Sequence, residues 1–303
     1  MHIDLTDEAV EYEATVRKAL EAAGGDELAP RAAADPEKRA ALVEPVLATL
    51  GVWDLDPMAG ADELEAAAAV CRAAGWWAVP YPVAERLAGR LVVDPRKPAA
   101  AVGGIDREWE AVTLDGRCFR ATARPLVGLV RKHAYVADLD LAPVDGAADP
   151  ALAVVLPIWT LLGMCERAMA MTRQYVSERE QFGQPIGRFQ GVQFQLTDAE
   201  VERAGFEELA KYALWSIEAG RPEALEDALA LRVAAIEAAD VVLRIGHQLH
   251  GAIGFCDETP FSWVSRASVP LRRLPYGLAD ARTHLVRQLG SHGLTGIFSD
   301  RFA

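Results

Sequence analysis

The feature that most constrains the fold of this chain is a succession of long helical patterns that occupies the sequence from Pro150 onward. Apolar residues recur there at spacings of three and four residues, which is the period of one face of an α-helix. Gly220 and Pro222 interrupt the pattern, so the helices before and after them are expected to lie antiparallel. A mainly α fold ending in a four-helix bundle satisfies this pattern with little strain. The predicted helices cover residues 151–179, 192–219, 222–249 and 278–289.

The first ninety residues predict a second helical region, which is made of shorter helices. Thr6 is a suitable cap for the first of them, since acidic residues in the first turn oppose the helix dipole. Asp35 followed by Pro36 is typical of a helix start, and that helix is expected to close near residue 51. The remaining predicted helices run from about residue 62 to 75 and, after a proline-rich turn, to residue 89.

Residues 91–149 change in character and predict a reduced β-segment between two helical regions. Asp115 and Gly116 separate two alternating stretches, 108–114 and 117–122, which is typical of a tight hairpin. Two further strands are predicted, over residues 126–130 and 134–138. The chain is therefore expected to comprise a helical region (1–90), a reduced β-segment (91–149) and a helical bundle (150–303).

The composition excludes several classes of function. Of 303 residues, 51% are hydrophobic and 25% are charged, as in an ordinary globular protein. The formal net charge of -13 argues against a general nucleic-acid binder, because phosphate neutralisation needs clustered Lys and Arg. The four cysteines show no CxxC spacing, which is typical of a reducing compartment. No secretion signal opens the sequence and no apolar run approaches membrane-spanning length, so a cytoplasmic location without membrane association is expected.

A first candidate site is the stretch from Arg179 to Gln190, which reads Arg-Glu-Gln-Phe-Gly-Gln-Pro-Ile-Gly-Arg-Phe-Gln. Arg179 and Phe182 fall where a long predicted helix ends and the chain turns. A guanidinium group is a planar fork of donors suited to phosphate, and an aromatic face can stack on adenine. From these residues alone, a helix-terminal arginine beside a packing phenylalanine is the simpler interpretation.

A second candidate site contains Gln248, Gly251 and Gly254, at the end of the third long helix. Glycines let a backbone approach a ligand closely and expose N–H groups to phosphate oxygens. The alternative is a helix C-cap at Gly251 followed by a turn. His247 and His250 have a spacing compatible with a metal, but no second pair of ligands lies at a recognisable distance. We therefore predict no metal site and a capping or packing role for both histidines.

Together, the two stretches resemble the C-terminal signature of the acyl-CoA dehydrogenase family, whose members oxidise acyl-CoA thioesters with FAD. The resemblance covers residues 150–289 and, more loosely, the first ninety residues. It implies an acyl-CoA dehydrogenase-like fold and contacts with the FAD of a neighbouring subunit. By this resemblance, the residues that bind the cofactor would be Arg179, Phe182, Gln190, Gln248, Gly251 and Gly254. Ala252 replaces the second glycine of the family's pattern.

The family's carboxylate base is missing from this sequence. Family members remove the α-proton of the thioester with a glutamate. Its two usual positions fall near Pro275 and near Ala153, and neither region carries an acid. Glu166 and Asp280 lie nearby in sequence, and each is interpreted as a solvated helix residue. The β-segment and the loop at 56–60 are also shorter than the parts of the family fold that grip the flavin.

These features predict a subunit of a hetero-oligomeric acyl-CoA dehydrogenase, resembling the shorter, base-lacking chain of an α2β2 heterotetramer. A full-length partner subunit would supply the glutamate, and the FAD would be shared between the two chains. The substrate would be an acyl-CoA of fatty-acid or steroid side-chain oxidation, and the chain alone would be inactive. Two alternatives stay open: a self-sufficient flavoenzyme whose base has moved to Glu166, Asp280 or Glu258, and a non-catalytic scaffold or regulatory subunit.

Overall fold

The computed structural model describes residues 3–124 and 135–292. Five helices open the chain: α1 (Asp7–Ala22), α2 (Leu28–Ala34), α3 (Arg39–Ala48), α4 (Ala61–Trp76) and α5 (Val83–Leu87). Thr6 caps α1 as predicted, because its Oγ1 accepts a hydrogen bond from the Ala9 N–H at 3.4 Å. Asp35 does not cap a helix. Its carboxylate pairs with Lys38 at 2.8 Å, and Pro36 begins a 3₁₀ turn that precedes α3.

Five strands follow and form one small sheet: β1 (Leu91–Val92), β2 (Ala99–Ala100), β3 (Glu108–Val112), β4 (Arg117–Ala123) and β5 (Ala137–Ala147). The strand order is β1-β3-β4-β5-β2, with β1 parallel to β3 and the other pairs antiparallel. β3 and β4 are the predicted hairpin, and Gly116 takes the positive φ (+83°) that its turn requires. The prediction of a small sheet in the middle of the chain is confirmed.

The strands after the hairpin differ from the prediction. The predicted strand over 126–130 lies outside the described residues. The described part of the strand predicted over 134–138 is the beginning of β5, which continues to Ala147. β2 pairs with β5 at its first two residues, so among the described strands much of β5 has a partner on one edge alone, where Pro143 is tolerated. The full length of this strand was not predicted from the sequence, because it contains a proline and exposed acidic residues.

Up to residue 292, where the description ends, the C-terminal region contains five α-helices: α6 (Ala151–Glu178), α7 (Gln190–Glu218), α8 (Ala224–His250), α9 (Pro260–Arg273) and α10 (Leu278–His292). The four predicted helices are confirmed, and α9 was not predicted. α6, α7 and α8 pack on one another, while α9 packs on α6 and α10 packs on α8. The buried face of α9 includes Ser268 and Pro270 beside Phe261 and Val264, so its apolar stripe is interrupted.

Two glycines let the N-terminal helices reach the bundle. A Cβ added to Gly75 on α4 would lie 1.9 Å from the Thr160 carbonyl oxygen, and one on Gly163 would lie 2.0 Å from that of Arg72. No side chain fits at either position, so the backbones of α4 and α6 are in direct contact. This crossing joins the two helical regions into one core.

α6 corrects the expectation that no apolar run approaches membrane-spanning length. Among the described helices, α6 has the length and hydropathy to cross a membrane, and 78% of its apolar window is buried within the protein. Its fully buried side chains include Trp159 and Ile158. The apolar face of α6 is thus used by the protein core.

Candidate functional site

The Arg179 stretch folds into a small hairpin between α6 and α7. Its two short strands are β6 (Glu180–Gln181) and β7 (Gln184–Pro185). The Arg179 N–H donates to the Tyr175 carbonyl at 2.8 Å, and the Ile186 N–H donates to the Arg179 carbonyl at 2.8 Å. Phe182 and Gly183 form the two-residue turn, with φ of +53° and +81°. Left-handed turns of this kind match the twist of a hairpin, and glycine adopts them freely.

Phe182 is held in a conformation that its side chain disfavours. A left-handed φ at such a bulky residue costs about 1–3 kcal/mol. Phe182 as a residue is nevertheless 93% exposed, and within the described residues its ring meets the ring of Phe189 edge-on at 6.2 Å. The packing of the chain itself therefore gives no reason for an aromatic residue at this turn. An exposed ring in a strained turn fits a residue that contacts another molecule.

The second stretch ends α8. Gly251 has φ +66°, and its N–H donates to the His247 carbonyl, so the C-cap interpretation is confirmed. Because this N–H already has a partner, Gly251 does not present a free backbone donor to a ligand. It does leave open space beside the backbone, since an added Cβ would meet nothing within 4 Å. Gly254 is buried, and a Cβ there would lie 2.9 Å from the His250 Cβ. Gly254 is therefore required by packing, while the Gln248 side chain is exposed.

The two stretches lie at the same end of the bundle. Tyr175, one turn before Arg179, stacks on His250 with ring centroids 4.6 Å apart, and His250 also stacks on Phe261 at 4.4 Å. His247 lies 2.8 Å from Ser265 Oγ. Burial lowers the pKa of both histidines, so the neutral rings act as packing groups. No cluster of three metal-ligating side chains occurs in the parts of the chain that the structure describes.

The exposed groups at this end suit the adenosine half of a dinucleotide. Arg179, Gln190 and Gln248 are exposed polar side chains, Phe182 presents an aromatic face, and Gly251 leaves room for close approach. Within the described residues, no carboxylate pairs with the Arg179 guanidinium. A planar fork of donors beside an aromatic face matches a pyrophosphate joined to adenine. This end of the bundle can therefore hold part of FAD, provided that something else covers the other side.

The two positions at which the resemblance places a catalytic glutamate come together in space. Ala153 and Val154 on α6 and the loop from Leu274 to Tyr276 line the same cavity, of about 50 Å³. They are separated by more than a hundred residues in sequence. Neither position has a carboxylate, and the residues that line the cavity are mostly apolar.

Arg232 holds the loop that fills this cavity. Its guanidinium donates to the carbonyls of Leu274 (2.7 Å) and Tyr276 (2.6 Å). The Tyr276 hydroxyl donates to the Val93 carbonyl at 3.1 Å and ties the loop to the sheet. Arg232 is 4% exposed, and its burial lowers its pKa to about 10. Arg232 therefore fixes the position of the loop.

Sequence reasoning missed Glu85, which lines the same cavity from α5. No described residue forms an ion pair with its carboxylate. Burial raises the pKa of Glu85, and the positive charge of Arg39 opposes this in part. Glu85 also borders an open cleft of about 600 Å³ beside the sheet, so solvent reaches its surroundings. No sequence motif marked it, because a glutamate in a short helix is ordinarily a surface residue.

The acids considered as relocated bases lie elsewhere. Glu166 belongs to a buried ion-pair network with Arg17 (3.1 Å), Arg72 (3.0 Å) and Arg203 (3.6 Å), and its side chain is 10% exposed. Its interpretation as a solvated residue is therefore wrong. Asp280 and Glu258 are exposed. None of the three lines the cavity at the expected base positions.

Comparison with known proteins shows a similarity in the C-terminal region. Residues 155–274 match the acyl-CoA dehydrogenase C-terminal domain family. Acryloyl-CoA reductase (NADH) of Anaerotignum propionicum is 32% identical over 181 residues, which cover 58% of this chain and 43% of that protein. Acyl-CoA dehydrogenase IpdE2 of Mycobacterium tuberculosis is 31% identical over 179 residues, which cover 56% of this chain and 52% of that protein. The matched region thus spans about half the length of these curated relatives.

Solved structures extend the similarity over the whole fold. A variant of the steroid acyl-CoA dehydrogenase Tcur3481–Tcur3483 superimposes with a TM-score of 0.72 at 21% identity, covering 94% of this chain and 98% of that one. The ChsE4–ChsE5 complex of Mycobacterium tuberculosis gives a TM-score of 0.67 at 18% identity, covering 96% and 98%. The chain has an acyl-CoA dehydrogenase fold, as predicted. Its C-terminal helical region is similar to the C-terminal domain of the acyl-CoA dehydrogenase family.

Proposed function

We propose that this chain is one subunit of a hetero-oligomeric, FAD-dependent acyl-CoA dehydrogenase and that it completes the FAD site of a full-length partner subunit. The observation that carries the proposal is the strained, exposed Phe182 beside Arg179, at the same end of the bundle as Gly251. These groups can act on a cofactor outside the chain. The family's two base positions within the chain are, by contrast, occupied by apolar residues.

The residues of this chain would bind and orient the cofactor. Arg179 would donate its planar fork to the pyrophosphate oxygens, and Phe182 would stack on adenine. Gln190 and Gln248 would form hydrogen bonds to the same half of the molecule, and Gly251 would allow close approach. When bound, FAD supplies the acceptor for the two electrons removed from the acyl chain. The partner's carboxylate would take the α-proton, because neither family base position of this chain has one.

The assembly that best accounts for these features is a cytoplasmic α2β2 heterotetramer. The structural similarity to two dehydrogenases whose names join two different chains supports a second subunit. One of those proteins is described as a steroid dehydrogenase, which supports an acyl-CoA of fatty-acid or steroid side-chain oxidation as the substrate class.

The proposal is tested by isolating the tagged chain from its native host and measuring subunit and flavin content. We expect a full-length acyl-CoA dehydrogenase chain in a one-to-one ratio and one FAD per pair. Arg179→Ala should lower the amount of bound FAD at least tenfold without dissociating the complex. Arg287→Ala, an exposed arginine on α10, is the matched control and should leave FAD unchanged. An intact complex whose flavin content is insensitive to Arg179→Ala would instead indicate a scaffold.

Glu85 supports a second candidate function, a self-sufficient flavoenzyme with a relocated base. Its carboxyl group has a raised pKa, and it lines the same cavity as the two positions at which a base was expected. In that case the chain purified alone would be yellow and active, and Glu85→Gln would lower turnover by two orders of magnitude or more. Glu110→Gln, on the same open cleft, is the control. A colourless, inactive chain would exclude this function.

A further inference from the structure

Three rings from three different helices form one continuous stack beside the two candidate stretches. Phe261 of α9 stacks on His250 of α8, and His250 stacks on Tyr175 of α6. Successive rings are nearly parallel, with interplanar angles of 23° and 21°. Phe261 and His250 are buried, whereas Tyr175 is partly exposed. This set, named the ring stack, therefore runs from the core of the bundle towards its surface.

The inner part of the ring stack is fixed by Gly246, one turn before His250 on α8. A Cβ added to Gly246 would lie 2.4 Å from the Phe261 Cζ, so no side chain fits between α8 and this ring. The His250 Nδ1 lies 2.8 Å from the Gly246 carbonyl oxygen. Since a carbonyl accepts, Nδ1 carries the proton and donates, and the buried ring is held in one orientation.

The outer part of the ring stack contacts both candidate stretches. The Tyr175 carbonyl accepts the Arg179 N–H at 2.8 Å, and residues four apart share one face of a helix. On the other side, Gly254 packs on His250, because an added Cβ would lie 2.9 Å from the His250 Cβ. His250 is the last residue of α8, and Gly251 follows it directly. A shift of the His250 ring would therefore move the Gly251 turn relative to Arg179.

The two stretches have little else to fix their spacing. They come from helices that are separated by more than sixty residues in sequence. Within the described residues, no hydrogen bond or ion pair joins the 179–190 stretch to the 247–255 stretch. The contact between Tyr175 and His250 is thus the specific link between them.

We propose that the ring stack sets the distance between Arg179 and the Gly251 turn, and that His250 is thereby a positioning residue for the adenosine half of FAD. This inference rests on the proposed function, in which both stretches bind that half of the cofactor. Groups that are already held in place bind a ligand more tightly, because less ordering is needed on binding. His250 is buried, so it would act through Tyr175 and Gly251 without touching the cofactor.

The test titrates the flavin-free complex with FAD and with FMN, which lacks the adenosine half, and follows flavin fluorescence. His250→Ala should raise the Kd for FAD about tenfold and leave the Kd for FMN unchanged. His250→Phe keeps a ring between Tyr175 and Phe261, so it should return the Kd for FAD to within about twofold of the parent. Tyr175→Leu, at a partly exposed position where folding is less at risk, should act like His250→Ala.

His284→Ala is the matched control. It removes another histidine that packs on a tyrosine, since His284 meets the ring of Tyr276 at 4.5 Å, and it should change neither affinity. Equal weakening of FAD and FMN binding by His250→Ala would indicate a general loss of structure and overturn the inference. A His250→Phe variant that binds FAD as poorly as His250→Ala would also overturn it.

Arg179→Ala distinguishes failure of this inference from failure of the proposed function. If Arg179→Ala weakens FAD binding and His250→Ala does not, the positioning role alone is rejected. If neither variant changes the Kd for FAD, the cofactor role of this end of the bundle is rejected together with the ring stack's part in it.

Discussion

Single residues at the C-terminal end of the bundle combine features that do not stabilise the chain itself. Phe182 has a left-handed backbone conformation and an exposed ring, and Arg179 has an exposed guanidinium without a described carboxylate partner. By contrast, Gly254 and His250 in the adjacent turn are buried and serve packing. The six residues inferred from the family resemblance therefore divide into groups that face outward and a glycine that supports them.

Replacing Phe182 distinguishes its effect on the stability of the chain from its effect on FAD binding. Phe182→Asn should raise the free energy of unfolding by about 1 kcal/mol, because asparagine accepts a left-handed φ far better than phenylalanine. The same change should lower the FAD content of the complex, since the aromatic face is lost. Urea unfolding and flavin absorbance measure the two effects. Gly183→Ala keeps the ring and strains the turn further, so it should destabilise. A less stable Phe182→Asn would show that the ring supports the hairpin.

At the scale of elements, glycines set how closely helices approach. The α4–α6 crossing requires Gly75 and Gly163, since a Cβ on either would overlap a carbonyl oxygen of the facing helix. The sequence predicted that a helix ends at Gly75, and α4 does end one residue later at Trp76, but the sequence did not show that Gly75 serves the crossing. A glycine in an apolar helix has the same appearance in sequence whether it faces a neighbour or solvent.

Gly163→Ala should therefore be strongly destabilising, by about 1–3 kcal/mol or more, because the helices must move apart to admit the methyl group. Gly205→Ala is the matched control on α7, where a Cβ has open space. In the isolated chain, that control should raise stability by up to about 1 kcal/mol through helix propensity. Urea unfolding of both variants measures the difference. Equal effects would contradict the close crossing.

The junction of α6, α8 and α9 should weaken in mild acid. His247 and His250 have pKa values lowered from 6.5 by burial, so the unfolded chain binds protons first as the pH falls. Their contribution is fully present above pH 6.5 and is lost as the pH falls towards the lowered values. Thermal unfolding between pH 7.5 and 5.5 should show this loss. His250→Phe keeps a ring between Tyr175 and Phe261 and should reduce the pH dependence. An unchanged pH dependence would contradict the assignment.

At the scale of the whole molecule, one ion-pair network joins the N-terminal helices to the bundle. Arg17 lies on α1, Arg72 on α4, Glu166 on α6 and Arg203 on α7, so four helices converge on one carboxylate. The network explains the presence of an acid within an otherwise apolar helix. It also assigns Glu166 a structural role, separate from the cavity that contains Glu85.

Glu166→Gln should lower the free energy of unfolding by about 1–3 kcal/mol, because it removes the carboxylate that the three arginines share, while Glu13 and Glu207 still pair with them. It should leave the FAD content of the complex unchanged. Glu178→Gln, at the exposed end of the same helix, should change neither quantity. Urea unfolding and flavin absorbance again measure both effects. A large loss of turnover with unaltered stability would mean that Glu166 takes part in catalysis.

The sequence by itself determined the long helices, the hairpin and the similarity to the family, because hydrophobic period, turn residues and local motifs are properties of neighbouring residues. α1, α4, α6, α7 and α8 follow from such local patterns. α9 was missed because two of its buried residues are Ser268 and Pro270. The tertiary structure alone decided which distant residues meet: Ala153 with Pro275 around one cavity, Glu85 beside them, and Glu166 among its arginines. It also decided that Gly205 faces solvent while Gly163 touches a helix. Contacts between residues far apart in sequence depend on how the helices cross, and no local pattern encodes that.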